Sequence, residues 1–122
     1  MIKKQTEITF LSFKVRLSEC DPYKIAHHAN YVIWFETARL HAIEHHRNII
    51  ADFKNNKSTD YFTSQTKCKF TGFVTYNDEI EIRTKITCLD VPAMYHFLQE
   101  ITNVRTGEKV AKCETINMIL EE

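Results

Sequence analysis

Between Ile8 and Ser18, apolar Leu11, Phe13, Val15 and Leu17 alternate with polar Ser12, Lys14, Arg16 and Ser18. A period of two marks a strand with one buried face, so a first strand is expected there. Asp21-Pro22 ends it, because proline fixes φ and lacks a backbone donor.

From Ala29 to Asn48 neither proline nor glycine interrupts the chain, and Glu36, Ala38, Arg39, Leu40, Ala42 and Glu44 favour helix. A long helix is predicted. Tyr31, Val32, Ile33, Trp34 and Phe35 are consecutive, which surrounds its first turns with apolar groups and predicts a buried helix. Its second half, His41 to Asn48, is polar and is expected to emerge into solvent.

A polar stretch, Asp52 to Asp60, precedes a return to strand patterns, first near Tyr61 to Phe70. In Glu79 to Cys88, Ile80, Ile82, Ile86 and Cys88 face one way, and Glu81, Arg83, Lys85 and Thr87 the other. Asp90-Val91-Pro92 breaks this strand. Met94 to Val104 alternates again up to Arg105-Thr106-Gly107-Glu108, a hairpin turn in which glycine can take positive φ. Lys109 to Leu120 pairs back.

Strand, long helix, then about four strands predicts an α+β domain in which an antiparallel sheet packs on one helix. A chain of 122 residues fits one domain, 1–122. One sheet face cannot cover a helix that is apolar all round. A second subunit is therefore expected to bury part of it, with an edge strand paired in the dimer.

Hydrophobic residues at 43% and charged residues at 26% allow a core and show no bias to disorder. Lys plus Arg and Asp plus Glu both number 16, so no net field draws the chain to nucleic acid or anionic lipid. No run reaches the roughly 18 apolar residues of a membrane span, and the start has no apolar stretch behind Lys3 and Lys4. A cytoplasmic location is expected. Cys20, Cys68, Cys88 and Cys113 are widely spaced and read as reduced thiols.

Candidate chemistry concentrates in Glu19 to Tyr31, a polar loop between the first strand and the start of the helix. A carboxylate there, Asp21, can act as nucleophile or general base, and unpaired N–H groups at the helix start can stabilise an oxyanion. Without further context an Asp-Pro is most often a turn. Cys20 could serve as a thiol nucleophile with His28 as base. His41, His45 and His46 could suggest a metal, but no third ligand completes a site and none is expected. Glu36 and Arg39, one helical turn apart, read as an ion pair.

Asp21, His28, Asn30-Tyr31, Trp34, Glu36 and Ala38-Arg39 resemble the pattern of the hotdog-fold thioesterases of the 4-hydroxybenzoyl-CoA type, which include the short acyl-CoA thioesterases associated with the Tol-Pal system. Phe70 to Asp78, followed by Glu79-Ile80, is similar to the family's second block, with Asn77 in place of the usual glycine. The family usually has glycine where this chain has Lys24, and a left-handed backbone there costs a non-glycine residue about 1 to 2 kcal/mol.

The resemblance implies a hotdog fold, one long central helix wrapped by an antiparallel sheet of about five strands. It implies hydrolysis of an acyl or aryl thioester of coenzyme A or of an acyl carrier protein. Asp21 falls on the catalytic aspartate, nucleophile or base. His28 falls on the helix-start N–H that polarises the thioester carbonyl, and its side chain on a histidine that some members use. His27, Asn30, Tyr31, Trp34 and Phe35 are the candidate substrate-binding residues, although Asn30 and Tyr31 also read as a capping and packing pair, and Trp34 and Phe35 as core. The resemblance implies no cofactor, coenzyme A being part of the substrate, and a homodimer or homotetramer with sites between subunits. Two other readings stay open: a hydratase or dehydratase acting on enoyl or hydroxyacyl thioesters, and a non-catalytic acyl-thioester binder.

Overall fold

The computed structural model describes residues 6–45, 61–91 and 93–119. Strand β1 (Thr6–Lys14) is followed by helix α1 (His28–His45), then by β2 (Tyr61–Phe70), β3 (Glu79–Cys88), β4 (Met94–Asn103) and β5 (Lys109–Ile119). The five strands form one sheet in the order β1-β3-β4-β5-β2, with every neighbouring pair antiparallel. This is the expected architecture of one helix against a five-stranded sheet. β1 and β2 are its edges.

The period-two pattern sets which sheet face is buried. Ile80, Ile82 and Ile86 of β3 point to the same side as Tyr95, Phe97 and Ile101 of β4, and all six are buried. Against this face α1 lays Tyr31, Trp34, Phe35, Ala38, Ala42 and Ile43, at the three- and four-residue spacing of one helical stripe. Trp34, Phe35 and Ala38 pack with Ile80, Ile82, Ile101 and Val110, while Ala42 and Ile43 pack with Ile86, Tyr95 and Phe97. Truncating a fully buried ring such as Phe35 to alanine costs about 3 to 5 kcal/mol.

The second half of the helix is therefore not simply solvent-facing: His41, Glu44 and His45 are exposed, but Ala42 and Ile43 continue the buried stripe. The reason is the 3.6-residue period, which returns these two positions to the sheet whatever lies between them. Conversely Val32, Ile33 and Leu40 are exposed. The helix termination expected at Asn48, the polar stretch Asp52 to Asp60 and the last strand residue Leu120 lie outside the described residues.

Three further expectations are corrected. The first strand stops at Lys14 rather than Ser18, because the Glu19 carboxylate captures the Arg16 N–H at 2.8 Å and winds Leu17–Glu19 into one 3-10 turn. Leu17 is left exposed. Arg39 makes no ion pair with Glu36. It is buried, and its Nη1 donates to Gln99 Oε1 at 3.0 Å, because position 39 falls on the sheet-facing stripe and position 36 on the exposed one.

The four cysteines are not all thiols. Cys68 and Cys113 stand directly opposite each other on β2 and β5 and are joined in a disulfide, while Cys20 and Cys88 are unbridged. Widely spaced in sequence, the bonded pair is brought together only by strand register.

Candidate active site

The segment after the 3-10 turn folds back on itself as a small hairpin. Asp21 N–H donates to the Ile25 carbonyl (2.9 Å), Lys24 N–H to the Asp21 carbonyl (2.9 Å), and His27 N–H to the Glu19 carbonyl (2.9 Å), with Cys20 and Ala26 in bridge pairing. One Asp21 carboxylate oxygen, Oδ1, accepts the N–H groups of Tyr23 (2.8 Å) and Ile25 (3.1 Å). Among the described residues nothing donates to Oδ2. The turn needs a left-handed residue, and Lys24 supplies it with φ 64°.

A second segment braces this hairpin. Ala26 N–H donates to the Val74 carbonyl (2.9 Å), Tyr76 N–H to the Lys24 carbonyl (2.8 Å), and Ile25 bridges Thr75. That brace is held in turn by Asp78, whose carboxylate accepts Thr75 N–H (3.0 Å), Thr75 Oγ1 (3.1 Å), Asn103 Nδ2 (3.1 Å) and Arg105 Nε (3.1 Å). Burial pushes the Asp78 carboxyl up, but these hydrogen bonds and the guanidinium outweigh it and hold it below its ordinary value. Asn77 takes φ 69° at the preceding position, as asparagine tolerates.

His27 caps the helix. Its Nδ1 accepts the Ala29 N–H at 3.2 Å and its carbonyl accepts the Asn30 N–H at 3.0 Å. The His28 N–H, at the first helical position, meets no acceptor among the described residues and carries the positive end of the helix dipole. The His28 ring stacks on Phe70 at 5.2 Å and lies 5.9 Å from Tyr31. Phe70 ends β2 and is partly exposed, so the aromatic floor beneath the helix start reaches the β2 edge.

The polar atoms of the other candidates are taken up locally. Asn30 Nδ2 donates to the Glu19 carbonyl (2.8 Å), the Tyr31 hydroxyl accepts the Val74 N–H (3.1 Å), and Trp34 Nε1 donates to Glu19 Oε2 (2.6 Å). Phe35 is wholly buried. These four hold the loop and the core, whereas His27 and His28 are exposed and Asp21 half-exposed. Cys20 Sγ lies 3.5 Å from the Arg16 carbonyl, and burial pushes its thiol up, the wrong direction for a thiolate nucleophile. His41 and His45 stack on each other at 6.2 Å, and His46 lies outside the described residues. Among the described residues no three potential metal ligands converge.

Glu19 is the site residue that pattern reading passes over. It is 5% exposed and its Oε1 also accepts Arg16 Nε at 3.2 Å. Burial pushes its carboxyl up, and the hydrogen bonds from Arg16 and Trp34 outweigh this and hold it below the ordinary range. The available signal was Trp34 itself, since a buried indole N–H needs an acceptor.

Several solved structures share this fold. A family profile described as the thioesterase-like superfamily matches residues 15–121. No curated protein matches by sequence. A probable thioesterase from Bartonella henselae superposes with TM-score 0.74 at 15% identity, covering 94% of this chain and 91% of that one. A 4-hydroxybenzoyl CoA thioesterase mutant complexed with 4-hydroxybenzoyl CoA gives 0.77 at 13% identity, covering 93% and 84%. A hypothetical protein from Staphylococcus aureus in complex with CoA gives 0.77 at 18% identity, covering 93% and 70%. At these identities the likeness is one of fold, the hotdog fold.

Proposed function

This chain belongs to the thioesterase-like superfamily, and from that premise we propose that it hydrolyses acyl-CoA thioesters with Asp21 as the reacting carboxylate. The observation that carries the reading is the division of labour within Asp21: Oδ1 is committed to the loop, while Oδ2 has no donor among the described residues. A carboxylate so held is oriented and still has a lone pair to offer.

In this reading the thioester carbonyl oxygen lies against the His28 N–H, where the helix dipole and an unpaired donor favour the negative charge of the tetrahedral intermediate. Asp21 Oδ2 then acts in one of two ways. As nucleophile it bonds to the carbonyl carbon, the coenzyme A thiolate leaves, and water hydrolyses the resulting mixed anhydride. As general base it takes a proton from water, the hydroxide adds to the carbonyl, and the thiolate leaves and is protonated. The products are the same free acid and thiol.

The His28 ring and its Phe70 neighbour line the approach. Exposed Val32, Ile33 and Leu40 support a second copy of the chain that covers this helix face, and the two unpaired sheet edges, β1 and β2, each offer it a strand to pair with, closing the substrate site between subunits. A cytoplasmic enzyme acting on coenzyme A thioesters, with acyl carrier protein as the alternative carrier, completes the proposal. Among the described residues no helix is long and apolar enough to cross a membrane.

The test is release of thiol from a panel of short, long and aromatic acyl-CoAs by the wild type and by Asp21→Asn. Turnover that collapses in the variant supports the proposal and names the acyl class. Activity that survives in Asp21→Asn refutes the role of Asp21.

A further inference from the structure

We propose that Glu19 is a positioning residue of this thioesterase, one buried carboxylate that holds the Asp21 loop and the start of α1 in a single geometry. The inference rests on the assignment of Asp21 and His28 made above.

A carboxylate is seldom buried unless every lone pair has a use. At Glu19 the uses fall on both halves of the site. Its side chain takes Arg16 N–H and Arg16 Nε on Oε1, and Trp34 Nε1 on Oε2, with Arg16 Nη2 also 3.2 Å from Oε2. Its backbone carbonyl takes His27 N–H and Asn30 Nδ2. Glu19 is two residues from Asp21, and the groups it grips belong to the helix cap (His27), the first turn (Asn30) and the second turn (Trp34).

Trp34 extends the grip further. Its ring packs edge-on against Tyr31 at 5.1 Å, and Tyr31 lies 5.9 Å from the His28 ring. The bond of 2.6 Å between Trp34 Nε1 and Glu19 Oε2 has a charged acceptor and is buried, the combination in which a hydrogen bond is strongest and most directional. Both carboxylate oxygens are occupied, so Glu19 has none left for substrate or water. It therefore acts through the residues it holds, fixing where Oδ2 of Asp21 lies relative to the His28 N–H. Misplacing reacting groups by about 1 Å can cost on the order of 100-fold in rate.

The discriminating variant is Glu19→Gln, which keeps the shape but turns one acceptor oxygen into an NH2 group facing either the Trp34 indole or the Arg16 N–H groups. Trp34→Phe removes the indole donor and with it half of that conflict. Thiol release is measured on the best acyl-CoA for wild type, both single variants and the double variant, alongside thermal melts that give the folded fraction. Expected is a kcat loss of about 10- to 100-fold in Glu19→Gln per folded molecule, with KM little changed, and partial recovery of kcat in Glu19→Gln/Trp34→Phe. Should Glu19→Gln not fold, Trp34→Phe alone carries the test, with kcat falling while KM holds. Wild-type kcat per folded molecule in Glu19→Gln, or in Trp34→Phe where that variant carries the test, overturns the proposal, as does a double variant no better than Glu19→Gln. Loss of the Asp21 reading is seen separately, as activity that survives in Asp21→Asn.

Discussion

The Lys24 N–H donates to the Asp21 carbonyl at 2.9 Å, and Lys24 holds this turn with φ 64°. The proposed catalytic residue thus sits in a loop whose tightness depends on a conformation that a side-chain-bearing residue resists.

Lys24→Gly removes that resistance, and the gain is partly offset by the greater freedom of glycine in the unfolded chain. The variant is expected to be more stable by roughly 0.5 to 1 kcal/mol, with thiol release unchanged because the exposed lysine side chain makes no bond to Asp21. Lys24→Val, β-branched at the same φ, is expected to be less stable than wild type. Urea denaturation of the three proteins checks the order Gly, Lys, Val.

Asp78 gives a prediction in pH. Its folded carboxyl lies below the ordinary aspartate value of 3.8, so the folded state binds its proton less readily than the unfolded state. The stability it contributes is fully present above the unfolded value and is lost as pH falls through the folded one. Removing the carboxylate by Asp78→Ala strands Thr75, Asn103 and Arg105 donors and is expected to cost about 2 to 3 kcal/mol near neutral pH. That cost shrinks as pH falls below 3.8. Melting curves from pH 7 to pH 2.5 for both proteins test this. A constant difference across that range would refute it.

How much of this was legible beforehand differs between elements. The alternation in Glu79–Cys88 gave that strand at its observed bounds, and the alternation expected from Met94 to Val104 ran one residue past the strand observed at Met94–Asn103, because in both a buried face alternates with a half-exposed one. Val15 to Ser18 alternates equally well and is not strand. There a side chain, Glu19, competes for the Arg16 N–H, and a periodicity argument contains no term for such capture. At the site, the family-like residues marked the loop and the helix start. The carbonyl of Glu19 that ties loop to helix start was invisible, because backbone acceptors leave no trace in residue type. Arg39 was misread for a related reason. Its i,i+3 neighbour Glu36 is near in sequence, but its partner Gln99 is 60 residues away and reachable only once β4 lies beneath the helix.

The cysteines allow a direct count. With Cys68 and Cys113 bridged, a thiol reagent applied to the denatured, unreduced protein is expected to find two groups, Cys20 and Cys88, and four after reduction. Four thiols without reduction would show that the bridge is absent under those conditions, as a reducing compartment favours. Mass mapping of the linked peptides identifies the pair.

Gln99 and Arg39 make the sharpest stability prediction. Gln99 is fully buried, and it donates through Nε2 to the Phe35 carbonyl (2.9 Å) and to Thr84 Oγ1 (3.1 Å) while Oε1 accepts from Arg39. Gln99→Leu matches the volume but leaves a buried guanidinium without its acceptor, and a cost of about 3 to 5 kcal/mol is expected for an orphaned buried charge. Arg39→Met takes the opposite route. It removes a cation whose Nε already lacks a partner, so the desolvation of that cation is relieved while Gln99 loses one bond of three. Its expected effect lies within about 1 kcal/mol of zero. In the double variant Arg39→Met/Gln99→Leu the penalty of Gln99→Leu should largely disappear, since no charge remains to be orphaned. Urea denaturation of the four proteins closes the cycle. Additive costs would mean that Arg39 is solvated in a way its burial denies, and a coupling of 2 kcal/mol or more, on the order expected for a contacting buried pair, would establish that Gln99 is there chiefly to accept from it.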